Sequence, residues 1–167
     1  EQAASSAQLA AGDQAVLAWD QASTCELHLL DARLGLALGD FDRAQRAVDA
    51  AASALGLASP ETGTALPHLH LQVLHAAGQI ARALGRLDDA RRQFVRALEI
   101  VEAQRGLLPI EELRTAFLTD KTAIYVDLVL SLLDLPEADA ATISDAFDVV
   151  ERSRSRALLE RLLPGAS

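Results

Sequence analysis

The stretch GRLDDARRQFVRALEIVE, residues 85–102, is a copy of the earlier stretch GDFDRAQRAVDAAASALG, residues 39–56. The two align without gaps at an interval of 46 residues. The identical positions are Gly39 and Gly85, Asp42 and Asp88, Ala44 and Ala90, Arg46 and Arg92, and Ala51 and Ala97. A period of this length, made of two helices and a short turn, is typical of an α-solenoid.

The composition favours an all-helical protein. Half of the residues are apolar but only 4% are aromatic, and the apolar fraction consists mainly of alanine and leucine, which are strong helix formers. Valine and isoleucine are sparse, and strand-like alternation is hard to find. A chain of 167 residues fits one domain with a sizeable core, so we predict a single domain over residues 1–167.

Glycine and proline divide the chain into helical blocks. Gly39 and Gly85 mark tight turns, Gly106 is a candidate helix C-cap, and Pro109 marks the start of the next helix. The predicted helices lie near residues 20–38, 41–56, 67–84, 87–105, 109–134 and 143–163, with a shorter one near 3–18. They form three pairs, over residues 20–56, 67–105 and 109–163.

Two aromatic side chains are assigned to packing. Trp19 lies between Ala15 and Ala22 at the spacing of a second repeat helix, and Tyr125 fits the first helix of the third pair. We expect both to pack in the core or between repeats rather than to stack on a ligand.

Charge and cysteine content exclude several classes of protein. A nucleic-acid-binding domain presents a basic surface, whereas this chain has a net charge of −9 and a pI of about 4.8. No apolar run approaches the ~20 residues that cross a bilayer, and the first residues lack the features of a secretory signal.

The single cysteine, Cys25, suits a reducing cytoplasm. The chain contains no methionine, and we expect it to be part of a longer protein.

The sequence offers no catalytic or metal-binding constellation. His68 and His70 in PHLHLQVLH point to different helix faces, His68 and His75 are two turns apart, and no cysteine or carboxylate nearby completes a ligand set. Cys25 is typical of a small buried residue. Phosphate-loop and hydrolase motifs are missing from the sequence. We therefore predict that the chain is not an enzyme and carries no metal or cofactor.

The second copy and the helix before it resemble the tetratricopeptide repeat, with the pattern W-x2-L-G-x2-Y followed by A-x3-F. Small residues at Gly78 and Ala90 let two helices approach closely, and Phe94 fills the space between them. Glu102 stands where the closing proline is usual, and the aromatics of the first helix are replaced. The matching positions are held by Leu74, Ala77, Gly78, Ala81, Gly85, Ala90, Phe94 and Ala97. The resemblance implies a right-handed solenoid of about three helix pairs, with a partial helix at the N-terminus.

The last third, in residues 113–133 and 146–163, is similar to the final repeats that precede the protease-like domain of bacterial CHAT proteins, a caspase-like family. The matching residues are Arg114, Phe117, Leu118, Asp120, Lys121, Tyr125, Asp127, Leu128, Ala146, Phe147, Val150, Glu151, Arg152, Ser153, Ser155, Arg156, Ala157 and Leu158. The resemblance implies a regulatory interaction module attached to a downstream domain. No catalytic residue of that family is carried over.

Two binding surfaces are predicted, one for a protein or peptide partner and one for the downstream domain of the same protein. In a repeat solenoid the first helices of the pairs line the concave side, where partners bind. Arginine and glutamine there suit a peptide backbone or a carboxylate. The concave residues are Glu26, Leu29, Arg33, Gln72, His75, Gln79 and Arg82. The predicted docking residues for the downstream domain are Arg152, Arg156, Leu159 and Leu163, with Leu162 also expected to be exposed or covered by a neighbour.

Three functions remain open at this point. The first is a module that binds a protein or peptide partner next to a CHAT domain. The second is the sensor part of a bacterial transcription regulator, and the third is a homo-oligomerising scaffold. For all three we predict no nucleic-acid and no membrane partner of the chain itself.

Overall fold

The computed structural model describes residues 2–57, 66–109, 121–134 and 142–151, and all regular secondary structure in these ranges is helical. The all-α class is thereby confirmed. The helices are α1 (Gln2–Leu38), α2 (Phe41–Ala54), α3 (Pro67–Ala83), α4 (Leu87–Gly106), α5 (Thr122–Leu133) and α6, which includes residues 142–151.

The chain divides into two compact units, Glu1–Ala76 and Ala77–Ser167. The boundary falls inside α3, so residues 67–76 belong to the first unit and residues 77–83 to the second. The prediction of a single domain over residues 1–167 stays a prediction.

In the first unit α1 and α2 form a helical hairpin. Gly39 has a φ of 73°, a backbone conformation that glycine adopts at little cost, and Asp40 caps α2 by accepting a hydrogen bond from the Arg43 backbone N–H at 3.0 Å. Gly35 makes the close approach possible, because a Cβ there would lie 2.8 Å from the backbone nitrogen of Ala44. The predicted turn at Gly39 is confirmed.

An ion pair holds the two helices of this hairpin together near the turn. Arg43 on α2 donates from Nε to Asp31 Oδ1 on α1 at 2.9 Å, and from Nη2 to the same oxygen at 2.5 Å. The hydrogen bond and the charge of Asp31 raise the pKa of the Arg43 guanidinium.

In the second unit the core forms around Phe94 of α4, which is completely buried. The turn before α4 contains Gly85 with a φ of 72°, which confirms the second predicted turn. A Cβ on Gly78 would lie 2.7 Å from Phe94 Cδ1, so the predicted contact of Phe94 with Gly78 is also confirmed. The buried cluster consists of Ala81, Ala90, Phe94, Leu128, Leu132 and Ala146.

The largest differences from the predicted helix boundaries lie at three places, and the ends of α2, α3 and α5 lie within two residues of the prediction. Residues 3–18 and 20–38 belong to one helix, α1, because a lone glycine such as Gly12 costs only about 1 kcal/mol in a helix interior. Gly106 is the last residue of α4, and Leu107 is its C-cap. Pro109 lies in a bend and α5 begins at Thr122, so no helix runs continuously over 109–134. Residues 110–120 and 152–163 lie outside the described residues.

Candidate interaction surface

The predicted concave residues of α1 fall into two classes. Glu26 and Arg33 are exposed, whereas Leu29 is only 2% exposed. Leu29 lies four residues after Cys25 and three before Ala32, and residues at this spacing share a helix face. Both neighbours are buried, so Leu29 is a core residue and its assignment to the binding surface was wrong.

A side-chain hydrogen bond joins α1 to α3 within the first unit. Arg33 Nη2 donates to Gln72 Oε1 at 3.1 Å. Both residues were predicted to lie on one surface, and this contact brings them together. His75, one helical turn beyond Gln72, is half-buried.

Two polar pairs join α3 to α5 within the second unit. Gln79 Nε2 donates to Asp127 Oδ2 at 2.9 Å, and Arg82 Nε donates to Asp134 Oδ2 at 2.7 Å. The Arg82 and Asp134 side chains are 31% and 45% exposed, so this ion pair remains open to solvent and to a partner.

Asp127 and Asp134 were not among the residues predicted for this surface. A signal for them was present, because residues seven apart on a helix share a face and both carry carboxylates. Gln79 and Arg82, three apart on α3, share a face in the same way. The spacing of the donors and of the carboxylates is visible in the sequence, but which carboxylate each donor contacts depends on how α5 packs on α3.

An apolar strip on α5 accompanies the polar pairs. It consists of Val126, Leu130 and Leu133, which are spaced by four and three residues and are 49%, 37% and 50% exposed. Asp127 and Asp134 each follow a member of the strip directly in sequence. The second unit therefore presents hydrogen-bonding groups and exposed apolar side chains on neighbouring faces of one helix.

Tyr125 connects α5 to α4 instead of lining this surface. Its hydroxyl donates to Glu102 Oε1 at 2.8 Å in a partly buried setting. This hydrogen bond links the last turns of α4 to the first turn of α5.

The histidines considered as metal ligands do not belong to a cluster of potential ligands in the described part of the chain. Among the described residues no group of three or more histidine, cysteine, aspartate or glutamate side chains is placed to hold a metal ion. His68 is exposed, and His70 is half-buried. The docking residues Arg152, Arg156, Leu159 and Leu163, together with Leu162, lie outside the described residues.

Cys25 is buried, and its burial, together with the charge of Glu26, raises the pKa of the thiol to about 11 from a reference of 9.0. We expect a thiol-disulfide reagent at pH 8 to react at least about 100-fold more slowly with the folded chain than in denaturant, because the thiolate is the reacting species. The measurement is the release of the coloured leaving group, with Cys25→Ser giving the background. Equal rates with and without denaturant would show that Cys25 is accessible.

The same shift makes stability depend on pH with a definite sign. The folded state prefers the protonated thiol, so the stabilisation is complete below the unfolded pKa near 9 and is lost as the pH rises through about 11. Cys25→Ser should remove the part of this loss that belongs to Cys25, as measured by urea unfolding at pH 8 and pH 10.5.

No helix in the described ranges is both long enough and apolar enough to span a membrane. No protein-family model, curated protein or solved structure matches this chain.

Proposed function

We propose that this chain is a non-catalytic interaction and regulatory module built from tetratricopeptide-like helix pairs. In this proposal the pairs form a right-handed solenoid, and a protein or peptide partner binds to its first helices. The resemblance to the repeats of CHAT proteins supports a role in passing that binding event to a downstream domain, with Arg152, Arg156, Leu159 and Leu163 as the docking residues.

The observation that carries the proposal is the contact between equivalent helices. The predicted first helices of the three pairs correspond to the second half of α1, to α3 and to α5. Arg33 joins α1 to α3, whereas Gln79 and Arg82 join α3 to α5. Neighbouring first helices are expected in a stack of helix pairs, where each repeat contacts only the next. The close helix contact at Gly78 and Phe94 supports the same architecture.

The chemistry of the second unit indicates the kind of partner. Val126, Leu130 and Leu133 offer apolar surface, and Arg82 offers guanidinium N–H groups that suit a backbone carbonyl or a carboxylate. We therefore propose a peptide that places apolar side chains on the α5 strip and a carbonyl or carboxylate oxygen near Arg82.

Substitutions in the second unit test this proposal. A peptide is selected from a displayed library against the 167-residue chain, and its Kd is measured by calorimetry. Arg82→Ala should weaken binding by about tenfold, because a hydrogen bond to a charged group contributes roughly 1.5–3 kcal/mol. Leu130→Glu should weaken it further, because it places a charge in the apolar contact.

Val95→Glu is the matched control, since Val95 on α4 has an exposure of 39%, close to the 37% of Leu130. It should leave the Kd unchanged. If no peptide can be selected, or if both Arg82→Ala and Leu130→Glu bind like the unsubstituted chain, the proposed surface is wrong.

A further inference from the structure

The face of α1 that points away from α2 carries an uncovered row of large apolar side chains. We call it the outer face of α1, and its members are between 46% and 76% exposed. Neighbouring members are three or four residues apart, except that Trp19 and Leu27 are eight apart, and Ser23 lies midway between these two. The members of the outer face are Val16, Trp19, Leu27, Leu30, Leu34 and Leu38.

The hairpin with α2 does not use the outer face. Among the side chains of α1 that the structure describes, the buried apolar ones are Cys25, Leu29 and Ala32, and they lie on the opposite side of the helix at 100° per residue. Trp19, which was predicted to pack in the core or between repeats, is 76% exposed. That prediction was wrong for the described residues, because the packed side of α1 is set by Gly35 and Ala32 rather than by the largest side chains.

The outer face is large enough for a specific interface. Six such side chains offer on the order of 500 Å² of apolar surface. A soluble monomer rarely exposes a contiguous apolar patch above a few hundred Å². A standard interface covers about 800 Å² on each partner, polar rim included.

Charges beside the row select the partner and its direction. With Leu27 and Leu34 at heptad position a, and Ser23 and Leu30 at d, Glu26 and Arg33 share the g flank. Asp31 lies on the e flank, where its Oδ1 already accepts from Arg43. In a parallel pair of α1 helices g faces e of the next heptad, which sets Glu26 against the second copy's Asp31. In an antiparallel pair g faces g, which sets Glu26 against the second copy's Arg33.

We propose that two copies of this chain associate through the outer faces of α1 in antiparallel orientation, with Leu27 packed on the second copy's Leu30. The two-fold axis makes the contact of Glu26 with the second copy's Arg33 occur twice. The Arg33 hydrogen bond to Gln72 uses only Nη2, and a guanidinium has five N–H donors. Glu26 and Arg33 also belong to the predicted concave surface, whereas Arg82 and the apolar strip of α5, which carry the proposed peptide contacts, take no part in this interface.

The apolar contact is tested by the mass of the chain in solution. Sedimentation equilibrium at high micromolar concentration should give twice the 17.8 kDa of one chain. Leu30→Glu should give a monomer. Leu107→Glu, a change at an 83% exposed leucine outside α1, should remain a dimer. A monomer for the unsubstituted chain, or a dimer for Leu30→Glu, overturns the proposal and leaves the outer face to a different protein.

A charge exchange tests the orientation. Glu26→Arg and Arg33→Glu should each weaken the dimer by about tenfold, because each sets like charges against each other. The double variant, Glu26→Arg with Arg33→Glu, should restore the original dissociation constant to within about threefold. A parallel pair gives a different result, since Glu26→Arg alone would then strengthen the dimer by facing Asp31. Either that result or a failure of the double variant to recover overturns the antiparallel assignment.

Discussion

Replacing Phe94 by alanine should lower the free energy of unfolding of the second unit by about 3–5 kcal/mol. The side chain is completely buried and packs in a cluster with residues of α3, α5 and α6. Removing it takes the ring out of all these contacts and leaves a cavity that the surrounding helices fill only in part. The measurement is urea unfolding followed by circular dichroism at 222 nm.

The neighbouring residue provides the control for this substitution. Val95 is 39% exposed, and Val95→Ala should change the free energy of unfolding by no more than about 0.5 kcal/mol, as is usual at the surface. A loss below about 1 kcal/mol for Phe94→Ala would mean that the ring does not hold the cluster together.

Adding a single methyl group at Gly78 should destabilise the same unit by about 1–3 kcal/mol. The new Cβ would lie 2.7 Å from Cδ1 and 2.8 Å from Cζ of Phe94, and the ring is enclosed by other core residues. The clash must outweigh the gain of up to about 1 kcal/mol that alanine usually brings to a helix interior. Urea unfolding of Gly78→Ala measures the net effect.

Two further variants isolate the cause. In the Phe94→Leu background Gly78→Ala should cost less, with a coupling of at least about 0.5 kcal/mol in the double-mutant cycle. Gly106→Ala makes the same change at the end of α4, where a Cβ would meet nothing within 4 Å, and should be neutral or stabilising by up to about 1 kcal/mol. Strictly additive effects of Gly78→Ala and Phe94→Leu would rule out the ring contact as the reason.

The turns and the closest helix contact were accessible from the sequence because each depends on local chemistry. Gly39 and Gly85 were identified as turns, and both have the positive φ that favours glycine. The pairing of Gly78 with Phe94 followed from the repeat pattern. The ends of α4 and α5 were harder, because a glycine or a proline marks a region where a helix can end without selecting one residue.

The orientation of α1 could not be read from its pattern, because both of its sides are apolar. Leucines occupy the buried side at Leu29 and the outer face at Leu27, Leu30 and Leu34. Small residues determine which side of α1 packs on α2. Gly35 has no Cβ, and this lets the backbone of Ala44 lie closer than a larger side chain would permit. Hydrophobicity alone therefore could not assign Leu29 to the core.

The donors of the candidate surface were predicted from the sequence, but their acceptors in α5 were not. Arg33, Gln72, Gln79 and Arg82 were selected as one face, and each makes a side-chain contact with a neighbouring helix. Their acceptors in α5 depend on how α5 is placed against α3, which a single helix pattern does not contain. The hydrogen-bonding capacity of a side chain is visible in the sequence, whereas its partner is a property of the tertiary fold.

The distance along the chain between the paired side chains has a consequence for folding kinetics. Phe94 and Gly78 lie on helices joined by a short turn, whereas Arg82 and Asp134 are 52 residues apart. The entropy cost of closing a loop grows with its length, so the helical hairpins are expected to form first and the polar pairs between α3 and α5 only after the main barrier has been crossed. Contacts made that late slow unfolding without accelerating folding, so we expect Arg82→Ala to change the unfolding rate of the second unit more than its folding rate.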